Sequence, residues 1–68
     1  MYKYKRIKDM REDNDLTQQD IANILGIKYQ QYQRYENGQY EIPVHQLIKL
    51  AAYYNVSIDY LVSKREFE

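Results

Sequence analysis

The sequence predicts an all-α fold, a compact bundle of five short helices. Three observations predict it. Apolar residues recur at steps of three and four along nearly the whole chain, and no run alternates with period two for long enough to make a strand. Only two glycines and one proline occur in 68 residues, so regular elements must be joined by tight turns. Helix-starting residues stand just ahead of several apolar runs. A chain of this length is one small domain, and such a domain buries only about 60% of the surface its unfolded form exposes. With no cysteine, neither a disulfide nor a thiolate zinc site can staple it, and it has to rely on regular helix packing.

The first helix is expected from about Tyr4 to Asn14, with Tyr4, Ile7 and Met10 on one face. The second starts at Thr17, which can cap it while Asp20 returns the bond as in a capping box. Ile21, Ala22 and Leu25 form its inner face, and Gly26 supplies the left-handed residue that ends it. The third starts near Lys28 and ends before the turn signal Asn37-Gly38. The fourth begins around Pro43, which a first turn tolerates, and carries Leu47, Leu50, Ala51 and Tyr54. Ser57 caps a short fifth helix with Ile58 and Leu61. Three pairs fit a hydrophobic staple, in which the apolar residue before the cap packs on the fourth helical residue: Leu16 with Ile21, Ile27 with Tyr32, and Val56 with Leu61.

Ten basic and ten acidic residues cancel, which excludes a protein that coats nucleic acid by bulk charge. The cancellation hides a segregation. Residues 1–11 hold Lys3, Lys5, Arg6, Lys8 and Arg11 against Asp9, while residues 12–25 hold only Glu12, Asp13, Asp15 and Asp20. The expected organisation is a basic N-terminal arm at 1–6, a helical domain at 7–62 and a charged tail at 63–68. No stretch approaches the roughly 18 apolar residues of a membrane span, and the N-terminus lacks the apolar core of a signal peptide. A cytoplasmic protein is expected. No nucleophile–base constellation, glycine-rich phosphate loop or ligand cluster suggests an enzyme, a cofactor or a metal site, and His45 has no carboxylates placed beside it.

The second and third helices are joined by Leu25-Gly26-Ile27-Lys28, a short glycine-containing turn that suits a helix-turn-helix. The run Leu16-Thr17-Gln18-Gln19-Asp20-Ile21-Ala22 resembles the L-T-Q-x-x-L-A opening of the Cro/repressor-type (Xre-like) helix-turn-helix regulators. Gly26-Ile27 is similar to their G-V turn, and Tyr35-Glu36-Asn37-Gly38 to the [YWL]-E-x-G end of the reading helix. Pro43, Leu47, Leu50-Ala51 and Val56-Ser57-Ile58-Asp59-Tyr60-Leu61 follow the remainder of the pattern, so the resemblance runs from about Ile7 to Val62. It implies a five-helix bundle of the phage-repressor DNA-binding domain type, with helices two and three forming the helix-turn-helix. It also implies a double-stranded DNA operator as partner, a homodimer on that DNA, repression of transcription and a nucleoid-associated location.

On the third helix Tyr32 and Tyr35 sit three apart and are expected to face inward. Tyr29, Gln30, Gln33 and Arg34 share the other face. That face is either an ordinary polar surface or, as the resemblance implies, a reading surface in the major groove. There Gln can pair with adenine and Arg with guanine in a fork. The resemblance makes Gln18 a phosphate clamp at the start of helix two, where N–H groups are unpaired. The backbone amides of Asn37 and Gly38, the side chains of Gln39 and Tyr40, and the cations Lys28 and Arg6 are further phosphate candidates. It also pairs Arg11 with Glu36 as a structural ion pair.

Three positions depart from the family pattern: Lys28 replaces a Ser or Thr cap, Ile24 a charged residue and Val44 a capping Ser. Ile24 and Val44 mark either a partner surface or a slightly apolar skin, and Tyr60 is a candidate dimer contact. The function expected is a sequence-specific DNA-binding regulator. The alternatives are an antitoxin, which would also hold a toxin outside helix three, and a protein-interaction module that has lost DNA binding.

Overall fold

The computed structural model describes residues 3–63, and five helices run through them: α1 Lys5–Asp13, α2 Gln18–Leu25, α3 Tyr29–Asn37, α4 Val44–Tyr54 and α5 Ile58–Val62. The all-α expectation holds, and the helix boundaries lie within a residue or so of those expected. α1 is one residue shorter at each end, because Tyr4 is still extended. α3 runs through Asn37, because the left-handed turn begins only at Gly38. No helix among the described residues is long and apolar enough to cross a membrane.

Local chemistry accounts for the helix starts. Thr17 and Asp20 form the full capping box: the Asp20 N–H donates to Thr17 Oγ1 at 3.1 Å and the Thr17 N–H to Asp20 Oδ2 at 2.9 Å. Ser57 accepts from the Tyr60 N–H at 3.0 Å. Lys28 and Pro43 stand at the caps of α3 and α4 without a side-chain bond, so packing has to hold those starts. The staple residues Leu16, Ile27 and Val56 are all half-buried against the core. A fourth pair with the same spacing is Ile42 with Leu47, ahead of α4, and both are buried.

The helix ends share one device. Asp15, Gly26, Gly38 and Asn55 each take a left-handed conformation after α1, α2, α3 and α4. In every case that residue's N–H and the next one's turn back onto the last carbonyls. After α3, for example, the Gly38 N–H reaches Tyr35 O at 3.2 Å and the Gln39 N–H reaches Arg34 O at 3.0 Å. The two glycines differ in what surrounds them. A Cβ at Gly26 would meet nothing within 4 Å, whereas one at Gly38 would lie 2.9 Å from Lys3 Cβ and 3.0 Å from Lys3 N. Gly26→Ala is therefore expected to cost only the backbone strain, about 1 kcal/mol. Gly38→Ala is expected to cost at least about 1 kcal/mol more, since the N-terminal segment must move. Urea unfolding followed by helical circular dichroism measures both; equal losses would mean that Lys3 is not held against α3.

α2 packs against α3 and α4, and α5 bridges α1 and α4. Between them lie Ile7, Ile21, Ala22, Leu25, Tyr32, Leu50 and Leu61, each at most 2% exposed. Ile42, Tyr35, Leu47, Ala51 and Tyr54 complete the interior. Tyr32, Tyr35 and Tyr54 are buried as expected, and Tyr29, Tyr53 and Tyr60 are exposed.

Arg6 corrects an expectation. It is not presented to a phosphate: Nη1 donates to Tyr60 O at 3.1 Å and to Ser63 Oγ at 2.9 Å, and the guanidinium stacks 4.1 Å from the centre of the Tyr60 ring. The carboxyl end of α5 has unpaired carbonyls and attracts a cation, and the packing of α5 on α1 brings that end to Arg6. Lys5 and Arg6, placed in the arm by sequence, belong to α1. Apart from Ser63, the expected tail lies outside the described residues.

Candidate nucleic-acid interface

α3 is amphipathic in an unusual way. Its inner face is Tyr32, Tyr35 and Glu36, all buried, so a carboxylate lies beneath the helix. Its outer face carries Tyr29, Gln30 and Arg34 exposed and Gln33 half-buried. Gln31, on the flank, is tied down by a bond from its Nε2 to Tyr35 Oη at 2.9 Å. The four expected reading residues therefore do share one accessible face, and among the described residues no side-chain hydrogen bond occupies Gln30, Gln33 or Arg34. The Arg34 guanidinium lies 5.8 Å from the centre of the Tyr40 ring, near the outer limit of a cation–π contact. That brings a candidate base reader and a candidate phosphate contact together at one end of the helix.

The buried acid organises the rest. Arg11 reaches Glu36 in a fork, Nε to Oε2 at 2.8 Å and Nη2 to Oε1 at 2.9 Å, while its Nη1 donates to Leu16 O at 2.8 Å. The Tyr32 hydroxyl donates to Oε2 at 2.7 Å, and Gln18 Nε2 donates to Oε1 at 3.0 Å. Four donors from α1, α2 and α3 thus fill the acceptor sites of one carboxylate. The ion pair inferred from the resemblance is present. The Gln18 and Tyr32 bonds to it were not foreseen, and the only signal for the second was a tyrosine four residues before the glutamate on the same helix.

Burial alone would push the Glu36 carboxyl up, but the hydrogen bonds from Arg11, Tyr32 and Gln18 and the charge of Arg11 more than offset it, and its pKa falls below the ordinary 4.5. The bond to Glu36 is the main cause of the upward shift on Arg11. The Tyr32 hydroxyl is pushed far up, first by burial and then by the neighbouring carboxylate. Because folded Glu36 binds its proton less tightly than the unfolded chain does, its contribution to stability is complete above about pH 4.5. That contribution is lost as the pH falls through the lower folded value. The urea midpoint of the wild-type chain should therefore drop on acidification below that pH more steeply than that of a chain with both partners made apolar, Arg11→Leu with Glu36→Leu. Parallel pH profiles for the two would show that the carboxylate is not held in its ionised form.

The phosphate candidates fare differently. At the amino end of α2 the capping box uses the Thr17 and Asp20 amides, and the first two helical N–H groups, those of Gln18 and Gln19, have no place in the helical ladder. Gln18 itself is half-buried, with its amide nitrogen turned to Glu36. At the far end of α3 the Gly38 amide is already spent on Tyr35 O, and Asn37 lies within the helix. The expectation that the Asn37 and Gly38 backbone amides stand open is therefore corrected: helix closure consumes them. Exposed side chains remain there on Asn37, Gln39 and Tyr40, and Lys28 is exposed at the other end.

Residues 7–61 match the helix-turn-helix family. The chain is 38% identical over 61 residues to the cryptic phage CTXphi transcriptional repressor RstR of Vibrio cholerae, an alignment covering 90% of this chain and 55% of that protein. It is 38% identical over 53 residues to the antitoxin PezA of Streptococcus pneumoniae, covering 78% of this chain and 34% of the other. The crystal structure of a transcriptional regulator from Listeria innocua superposes with a TM-score of 0.80 at 27% identity, covering 88% of this chain and 56% of that one. The chain spans about half the length of the curated relatives it matches first.

Proposed function

The chain belongs to the Cro/repressor-type helix-turn-helix family, and on that footing we propose that it binds a double-stranded DNA operator and represses transcription from it. The observation that carries the reading is the outer face of α3. Tyr29, Gln30 and Arg34 stand clear, with Gln33 half-buried beside them, on a helix whose other side is locked by two buried tyrosines and a four-bonded glutamate. A reading helix must be rigid and its tips must be free, because base recognition depends on forked hydrogen bonds of fixed geometry. Tyr29, Gln30 and Arg34 read base edges in this proposal, with Gln33 beside them. Gln18 and the free amides at the start of α2 take one phosphate. Lys28, Asn37, Gln39 and Tyr40 take others.

The expected partner state is a homodimer on a two-fold operator, its half-sites about 34 Å apart. The zero net charge suits weak non-specific binding, so specificity rests on the reading face. Selection of binding sites from random duplex DNA tests this. A symmetric site with that spacing is expected; failure to enrich any sequence would favour a module that kept the fold without DNA.

The PezA relationship favours one second reading, an antitoxin that binds its own operator and also a toxin held outside α3. Val44 and Ile48, four apart on α4 and 65% and 53% exposed, offer apolar surface for such a partner. Co-purification of a second small chain from the native host would support it.

A further inference from the structure

We propose that the Tyr32 hydroxyl is a positioning group for DNA binding, acting through Glu36 to hold the Gln18 side chain and the amino end of α2 where a phosphate is received. The inference rests on the DNA-binding reading above. Tyr32 is fully buried and touches no solvent, so it cannot meet DNA itself. Its phenolic oxygen nevertheless makes a short bond of 2.7 Å to Glu36 Oε2. A phenylalanine or an aliphatic residue would fill the same core volume without that bond, so the hydroxyl needs a reason of its own.

The geometry supplies one. Arg11 grips both oxygens of the carboxylate from α1, which leaves one further acceptor direction on each oxygen to be filled in the interior. Tyr32 does this at Oε2 and Gln18 at Oε1. The two outer donors therefore act on one rigid group from opposite ends. Removing the phenol leaves one acceptor direction of Oε2 unfilled, lets the carboxylate tilt about the Arg11 fork and so loosens the acceptor that orients Gln18. Gln18 Nε2 carries two hydrogens, one of which is committed to Glu36. The other hydrogen is then offered, beside the Gln18 backbone N–H, by a side chain that is pre-ordered before DNA arrives, which avoids an ordering cost on binding. Tyr32 lies in α3 and Gln18 in α2, so the same relay keeps the phosphate contact in register with the reading face.

A double-mutant cycle on the full chain tests the proposal, using the duplex recovered by selection with the wild-type protein and fluorescence anisotropy at fixed salt. Tyr32→Phe is expected to weaken binding about fivefold, a loss on the scale of one hydrogen bond. In a Gln18→Ala background the same change is expected to do nothing, because there is no amide left to orient. The Gln18 side-chain amide signals in the free protein should move toward random-coil positions in Tyr32→Phe while the backbone amide spectrum of the core stays dispersed. Equal weakening in both backgrounds, or no weakening in the wild-type background, overturns the positioning role and leaves DNA binding intact. If the wild-type chain retains no duplex at all, the DNA-binding reading fails first and the proposal with it.

Discussion

Arg11→Ala is expected to leave much of the chain unfolded at 25 °C. The Arg11 side chain is 12% exposed and that of Glu36 3%. Removing the guanidinium strands an ionised carboxylate in the interior with only Tyr32 and Gln18 to solvate it, and it also strips the Leu16 carbonyl of its donor. Breaking a buried pair from one side costs about 3–5 kcal/mol. A domain of 68 residues has roughly 3–10 kcal/mol in total, at about 0.05–0.15 kcal/mol per residue. The loss is therefore comparable with the whole. A urea titration followed by circular dichroism would read it directly. Replacing both partners with apolar residues, Arg11→Leu with Glu36→Leu, should recover a good part of the stability, since no unpaired charge remains. A single variant as stable as wild type would mean that water reaches the pair and solvates the carboxylate.

Arg34→Ala is expected to cost ten- to a hundredfold in affinity for the selected duplex, about 1–3 kcal/mol, and to relax the base preference at one position of each half-site. Arg34 is exposed and is approached by the Tyr40 ring on one side, which limits the conformations its fork has to give up. Lysine should restore little, because a point charge lacks the fork. Lys28→Ala offers the contrast. It should weaken binding to all sequences alike and lower the salt slope by about one, as a phosphate contact does. Should Arg34→Ala instead lose the same factor on every sequence, its contact is to the backbone and α3 reads bases with Gln30 and Tyr29 alone.

Much of this molecule was legible because its signals are local. Thr17 with Asp20 and Ser57 announce helix starts through bonds spanning three residues, and Gly26 announces an end because only a left-handed residue closes a helix that way. The staple spacing extends to Ile42 and Leu47, a pair that the same rule finds although Ile42 precedes a proline and not a polar capping residue. Gln46 gave no signal at all: it is 5% exposed although amides at helix starts are mostly solvated. Asp15 and Asn55 likewise look like ordinary loop residues in the sequence, yet both hold left-handed turns.

The site divides along the same line. Periodicity alone placed Tyr29, Gln30, Gln33 and Arg34 on one face of a helix and Tyr32 and Tyr35 on the other, since side chains on a helix follow from their spacing. The family resemblance added the Arg11–Glu36 pair. Where donors meet across helices, spacing is silent. Only the packing of α5 on α1 brought Arg6 onto Tyr60. Only the convergence of α1, α2 and α3 gathered Arg11, Gln18 and Tyr32 on one carboxylate. By itself the sequence determined the five helices, their ends and the outward face of the third, because these depend on contacts a few residues apart. The tertiary structure decided which polar groups remain open to a ligand. A hydrogen bond between residues up to 57 positions apart depends on where the helices come to rest, and no local pattern records it.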